Sequence, residues 1–97
     1  MNQPHAAGNG SYVTDSFQVS PPSVITISFA KGIFGGYTYI YLYKIRTDRS
    51  IQTEEWMWQD IVSDEKFDYI IQPEEDIVSY FLQIRCPHDT QWEMTAQ

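Results

Sequence analysis

Cysteine, basic residues and long apolar runs are all scarce in this sequence of 97 residues. The single cysteine, Cys86, cannot form a disulfide within the chain, which excludes a disulfide scaffold. No stretch approaches the roughly 18 apolar residues of a membrane-spanning helix, so we expect no membrane partner. The N-terminus has no basic segment followed by an apolar run, so the sequence predicts no Sec-type signal peptide. We therefore expect synthesis in the cytoplasm, which leaves the final location open, including incorporation into a virion or another assembly.

Charge of one sign dominates the chain. Six basic residues stand against 13 acidic ones, for a net charge of −7. Nine acidic residues and only one basic residue, Lys66, lie between positions 54 and 76. The acidic residues are Glu54, Glu55, Asp60, Asp64, Glu65, Asp68, Glu74, Glu75 and Asp76. Because phosphate binding needs a basic patch, direct binding to nucleic acid is not expected.

The acidic tract permits three interpretations. It can be a solvated face that keeps the protein dispersed, which is the usual role of such charge. It can dock on the basic, nucleic-acid-binding surface of another protein, as a small acidic inhibitor of the phage anti-defence type would. It can also supply oxygen ligands for calcium, although the spacing does not match an EF-hand loop, so no metal site is assigned.

Motifs that carry catalytic chemistry are missing from the sequence. No serine lies in a Gly-x-Ser-x-Gly frame, and no glycine-rich phosphate loop is present. His5 and His88 are far apart in sequence, and with one cysteine they cannot form a structural zinc set. Cys86 lies on the apolar side of its segment, which predicts an inert thiol. We expect no cofactor and a function other than catalysis.

Strand-like alternation is what the sequence has in abundance. Tyrosine occupies positions 37, 39, 41 and 43, with Ile40 and Leu42 between. Since strand side chains alternate between faces, the four tyrosines would line one face and the aliphatic residues the other. The aliphatic residues favour the core side, but the reverse arrangement is open. Similar alternation marks residues 24–29, 66–71 and 77–86, and a last strand is predicted through Trp92 and Met94.

These segments predict an all-β protein. Six or seven short strands separated by turn signals indicate a single antiparallel β-sandwich over residues 11–97, with a small β-barrel as the alternative. Residues 53–63 fit either a helix or a strand, and their β-rich surroundings favour the strand, with Trp56 and Trp58 on one face. Residues 1–10 are polar and contain a proline and two glycines, so we expect a flexible N-terminal arm. We expect this arm to take part in partner binding, by adding a strand to a neighbouring molecule.

The later half of the chain contains a familiar pattern. Residues 80–86, Tyr-Phe-Leu-Gln-Ile-Arg-Cys, resemble the Tyr-x-Val-x-Val-x-Ala strand of fibronectin type III domains. Residues 71–74 are similar to the Leu-x-Pro connection before that strand, residues 25–29 to the second strand, and Gly36-Tyr37 to the start of the third. The resemblance covers residues 21–86. It implies an immunoglobulin-like sandwich that acts as an interaction module without an active site.

The tyrosine row is the predicted partner-binding surface. Tyrosine combines a large apolar area with a hydroxyl group and is enriched at interfaces. Ile33 and Phe34 lie in a glycine-rich loop where apolar residues are unusual, and they join the predicted surface. The predicted binding residues are Tyr37, Tyr39, Tyr41, Tyr43, Ile33 and Phe34. The expected partner is a protein, either another chain or a second copy within a larger assembly. Carbohydrate stacking on the aromatic rings is an alternative.

Overall fold

The residues that the structure describes form eight β-strands. The computed structural model describes residues 4–33 and 36–97, and Phe34 of the predicted binding surface lies outside them. The strands are β1 (His5–Asn9), β2 (Tyr12–Val13), β3 (Ser23–Ala30), β4 (Gly36–Arg46), β5 (Ile51–Ile61), β6 (Glu65–Ile71), β7 (Ile77–Arg85) and β8 (Gln91–Ala96). The described residues include no helix that is long and apolar enough to cross a membrane.

Two antiparallel sheets of four strands contain all eight elements. The first sheet has the order β1-β8-β3-β6 and the second the order β2-β7-β4-β5. The all-β prediction is confirmed and the arrangement is sandwich-like, whereas the predicted count of six or seven strands is too low. The sheets do not close into the alternative barrel.

The connections repeatedly cross from one sheet to the other. Among the eight described strands, only β4 and β5 are consecutive strands that pair with each other, through the turn at residues 47–50. This strand order is that of a jelly roll, which consists of two interleaved Greek keys. In the immunoglobulin arrangement the last two strands share a sheet, whereas β7 and β8 lie in opposite sheets. The strand order therefore differs from the one that the fibronectin-like pattern implies.

The core lies between the two sheets and follows from strand alternation. Its buried hydrophobic side chains are Ile25, Ile27, Phe29, Ile40, Leu42, Ile61, Ile71, Tyr80, Leu82, Ile84, Trp92, Met94 and Ala96. Trp92 and Met94 of β8 are among them, which confirms the predicted last strand. Alternation therefore identified most of the core.

The N-terminal segment differs from its prediction. His5–Asn9 form β1 and pair with β8 over five positions, so this part of the predicted flexible arm belongs to the first sheet. Gly10 then redirects the chain to the second sheet with a φ of 70°, which suits glycine, and its N–H donates to the carbonyl of Thr90. Small residues let β1 lie close to the core, because Gly8 leaves room for the Trp92 ring.

Candidate interaction face

The tyrosine row lies on the outer face of the second sheet. Thr38, Ile40 and Leu42 of β4 have no exposed surface, so their neighbours point away from the core. Tyr37 is 61% exposed, while Tyr39, Tyr41 and Tyr43 are half-buried. The prediction that the aliphatic residues of this strand form the core side is confirmed.

Neighbouring strands extend the row with two aromatic residues that the sequence did not suggest. Trp58 of β5 lies opposite Tyr39, and its side chain is 61% exposed. Phe81 of β7 lies opposite Tyr43. Six residues therefore form what we call the aromatic face: Tyr37, Tyr39, Tyr41, Tyr43, Trp58 and Phe81. Only cross-strand register brings them together, which is why a single segment could not reveal the set.

A β-bulge in β5 separates the two tryptophans. Ile40 pairs with Met57 and Tyr41 with Glu55, so Trp56 has no partner on β4. The prediction that Trp56 and Trp58 share a face is therefore wrong. The extra residue lets Trp56 pack against Tyr69 of the other sheet, with ring centroids 5.4 Å apart, while Trp58 stays outside. The prediction that residues 53–63 favour a strand is confirmed over Ile51–Ile61.

The rings of the aromatic face stack on one another. Tyr43 and Phe81 are parallel within 2°, with centroids 4.5 Å apart, and the Tyr43 hydroxyl donates to Gln83 Oε1 at 2.8 Å. Tyr39 stacks on Trp58 with centroids 5.5 Å apart, and Tyr37 lies 6.0 Å from the same ring. Each stack fixes side chains that would otherwise lose rotamer freedom on binding. Five of the six rings are therefore already packed against a neighbouring ring before any partner binds.

A cleft of about 460 Å³ lies beside the tyrosines. Its walls are Ser11, Tyr37, Tyr39, Tyr41, Arg85 and Cys86. Arg85 is exposed, lies opposite Tyr39 in the register, and forms no ion pair with any described residue. Burial raises the pKa of the Cys86 thiol to about 11, so at neutral pH the group is a protonated, unreactive thiol.

Ile33 follows β3 and is 80% exposed. Its backbone N–H donates to Asp89 Oδ2 at 2.8 Å, so an acidic side chain holds this part of the connection. Its exposure agrees with the predicted apolar loop tip, but its position in the connection does not make it part of the aromatic face.

The acidic residues do not form one patch. Glu55 and Asp60 stand on the outer side of β5, and Asp68 accepts a hydrogen bond from Thr26 on the outer side of the first sheet. Asp64 accepts the backbone N–H of Lys31, and Glu65 accepts a side-chain hydrogen bond from Gln59. Glu75 and Asp76 lie in the connection before β7. The charge is thus distributed around the edge strands β5 and β6 and their connections.

Glu54 and Glu74 of the acidic tract have a different role, because they pair with a buried lysine. Lys44 points into the sandwich and is only 7% exposed. Its Nζ lies 2.9 Å from Glu54 Oε1 and 2.6 Å from Glu74 Oε2. Tyr69 donates its hydroxyl hydrogen to the second oxygen of Glu54. These four residues form what we call the lysine cluster, and they join β4, β5, β6 and the β6–β7 connection.

The lysine cluster shifts the proton affinities of its members. The hydrogen bond from Tyr69 and the one from Lys44 lower the pKa of Glu54, outweighing the effect of burial. Burial and the hydrogen bond to Glu54 raise the pKa of Tyr69 to about 12. Burial disfavours the charge of Lys44, but its hydrogen bonds to Glu74 and Glu54 outweigh burial and raise its pKa. The cluster therefore sets one buried lysine against two partly exposed carboxylates.

Among residues 4–33 and 36–97, no three histidine, cysteine or acidic side chains converge in a way that could hold a metal ion. His5 lies beside Glu93, with its Nε2 3.2 Å from the carboxylate, and both side chains are exposed. The chain matched no protein-family model, no curated protein and no solved structure. The candidate site therefore has to be judged on its own geometry.

Proposed function

We propose that this protein is a non-catalytic module that binds another protein through the aromatic face, as one component of a larger assembly. Trp58 is the observation that carries the proposal. A tryptophan exposed over 61% of its surface leaves a large apolar area in water, and Tyr39 holds it in place. Residues that dominate binding energy at protein interfaces are enriched in tryptophan, tyrosine and arginine. Trp58, Tyr37, Tyr39 and Arg85 form such a set.

Ring geometry favours a protein over a carbohydrate as the partner. A sugar ring needs an open aromatic face on which to stack. Tyr43 and Phe81 each cover one face of the other, and Tyr39 covers one face of Trp58. The aromatic face combines ring area with the hydroxyl groups of four tyrosines, which suits the mixed apolar and hydrogen-bonding contacts of a protein interface. Jelly rolls include capsid and lectin domains, an analogy of fold that supports both partners equally.

Charge geometry also weakens the alternative of an acidic inhibitor. Docking on a basic surface requires a concentrated negative patch. Glu54 and Glu74 instead neutralise Lys44, and Asp64, Glu65 and Asp68 accept hydrogen bonds from this chain. The remaining acidic residues suit the protection of edge strands against unwanted pairing, since charge on an edge discourages another strand.

Capture of partners from the native source tests the proposal. The tagged wild-type protein is compared with Trp58→Ser and with Ile70→Ser. Ile70 is a matched control because it is 58% exposed but lies on β6 of the first sheet. We expect a saturable protein partner that Trp58→Ser loses, with at least about a tenfold drop in affinity, and that Ile70→Ser retains. Equal binding by the wild type and Trp58→Ser would refute the proposal, as would glycan-array binding that depends on Trp58.

A further inference from the structure

The two lateral sides of the sandwich differ in how they are closed. On one side, the edge strands β5 and β6 meet through the Trp56–Tyr69 contact and the hydrogen bond between Tyr69 and Glu54. On the other side, β1 of the first sheet faces residues 12–17 of the second. A groove of about 420 Å³ runs between them, and buried Met94 lies among its lining residues. We call this cavity the side groove.

Unpaired backbone groups run along the side groove. The carbonyl of Pro4 accepts the N–H of Ala96, and the N–H of Gly10 donates to the carbonyl of Thr90. In an antiparallel pair, the residues that bond to the partner strand alternate with residues whose N–H and C=O point the other way. The even-numbered residues of β1 therefore bond to β8. His5, Ala7 and Asn9 direct their backbone groups to the open edge.

The other three edge strands are guarded, and β1 is not. β5 carries Glu54 and Glu55 and is interrupted by the bulge at Trp56. β6 carries the charged residues Glu65, Lys66 and Asp68, and β2 has only two residues. Natural sheets use short strands, bulges and charges to keep their edges from pairing. β1 reads His-Ala-Ala-Gly-Asn, with no proline and no acidic or strongly basic side chain.

We propose that β1 and the side groove bind an extended segment of another protein, which adds a fifth strand to the first sheet. The backbone of the segment would pair with His5, Ala7 and Asn9. Its side chains opposite Ala6 and Gly8 would enter the groove, where Phe17 and Met94 offer apolar contact. Strand addition of this kind obtains affinity from the backbone and specificity from pockets for alternate side chains.

Two observations identify the occupant as a different, basic chain rather than a second copy. If two β1 strands paired antiparallel about Ala7, the side chains entering each groove would be those of Ala6 and Gly8, which are too small to fill it. Two copies would also bring together two molecules with a net charge of −7 each. Asp15 lines the groove, so a basic residue near the apolar positions of the segment would be attracted.

Titration with a designed peptide tests the strand-addition site. The probe is the blocked heptapeptide Ac-KTVTLTK-NH2, which alternates apolar and polar residues, and the readout is the amide spectrum of the ¹⁵N-labelled full chain. We expect saturable shifts and slower hydrogen exchange at His5, Ala7 and Asn9. A peptide with serine at both apolar positions should bind at least about tenfold more weakly, and so should one with methylated backbone nitrogens.

A pair of variants at Ala7 separates the edge from the rest of the protein. Ala7→Pro removes an N–H that points outward and leaves the bonds to β8 intact, whereas Ala7→Val keeps the donor. Ala7→Pro should weaken peptide binding at least about tenfold, with retained protection of the Ala6 and Gly8 amides as the check that β1 persists. The proposal fails if the peptide causes no shifts at millimolar concentration, if the methylated peptide binds equally, or if Ala7→Pro binds like the wild type. None of these outcomes bears on the aromatic face.

Discussion

At the scale of single residues, the lysine cluster decides how the protein responds to pH. The pKa of Glu54 lies below its ordinary value of 4.5, so the unfolded chain takes up a proton first as pH falls. The pKa of Tyr69 is raised from 10.0 to about 12, so the unfolded chain loses that proton first as pH rises. The raised pKa of Lys44 acts in the same direction as that of Tyr69. Stability should therefore be greatest between these limits and decline on both sides.

Glu54→Gln tests this pH dependence. The variant removes the charged acceptor of two hydrogen bonds, which should cost about 1–2 kcal/mol of unfolding free energy at neutral pH. The unfolding free energy should also fall less steeply as the pH is lowered, because the variant has no Glu54 carboxylate left to protonate. Urea denaturation across the pH range measures both effects, with the exposed Glu75→Gln as the control. If the stability of the variant declined as steeply with falling pH as that of the wild type, the lysine cluster would not be the cause of the decline.

Lys44 shows which features of a single residue can be predicted from the sequence and which cannot. Lys44 lies on the same face as Ile40 and Leu42, so alternation alone points it inward. A buried lysine is stable only when carboxylates neutralise it. The two carboxylates come from β5 and from the connection after β6, and no local pattern announces that they converge. The face of a residue could thus be predicted, but its partners could not.

At the scale of elements, the bulge in β5 separates the aromatic face from the core. The extra residue allows Trp56 to pack inward while Trp58 and Ile61 keep their positions opposite Tyr39 and Gly36. A regular strand would have placed both tryptophans on one side, as simple alternation predicted. Bulges depend on the register between two strands, which explains why the sequence of β5 alone could not reveal this one.

Deleting Trp56 tests the role of the bulge. The deletion restores continuous pairing, so its cost should be that of the lost contact with Tyr69, and it should match Trp56→Ala within about 1 kcal/mol. Trp58 should remain exposed to fluorescence quenchers. Deletion of Gln59 is the contrasting variant, because it forces either Ile61 out of the core or Trp58 off the aromatic face. If deletion of Trp56 proved as damaging as deletion of Gln59, the bulge would have a further structural role.

β1 is the element for which composition led to a wrong prediction. Its small and polar residues cannot bury a face of their own, which is why the sequence predicted a flexible arm. The segment is ordered because β8 supplies hydrogen-bond partners and because Gly8 accommodates the Trp92 ring. The strand that orders β1 lies more than eighty residues away in the sequence, so no local pattern predicts the pairing. The order of the strands in the two sheets also depends on pairing between distant segments, so it could not be predicted either.

At the scale of the whole molecule, net charge and the aromatic face have opposite effects on self-association. A net charge of −7 opposes the approach of two copies at neutral pH, although each molecule exposes Trp58 and Tyr37. The repulsion disappears near the isoelectric point of about 4.5. The lowered pKa of Glu54 favours its charged form, and with it the pairing to Lys44, as this pH is approached, so we expect the fold to persist while the repulsion falls.

Reversible self-association near the isoelectric point should therefore proceed through the aromatic face. Light scattering coupled to size exclusion should give a monomer mass at neutral pH and low salt, and a larger mass as the pH approaches 4.5. Trp58→Ser should suppress the increase, whereas Ile70→Ser, with similar exposure on the other sheet, should not. High salt at neutral pH should produce a smaller increase of the same kind, because it screens the repulsion without removing it. If Ile70→Ser alone suppressed the increase, self-association would proceed through the first sheet. That result would contradict the proposal that the aromatic face is the binding surface.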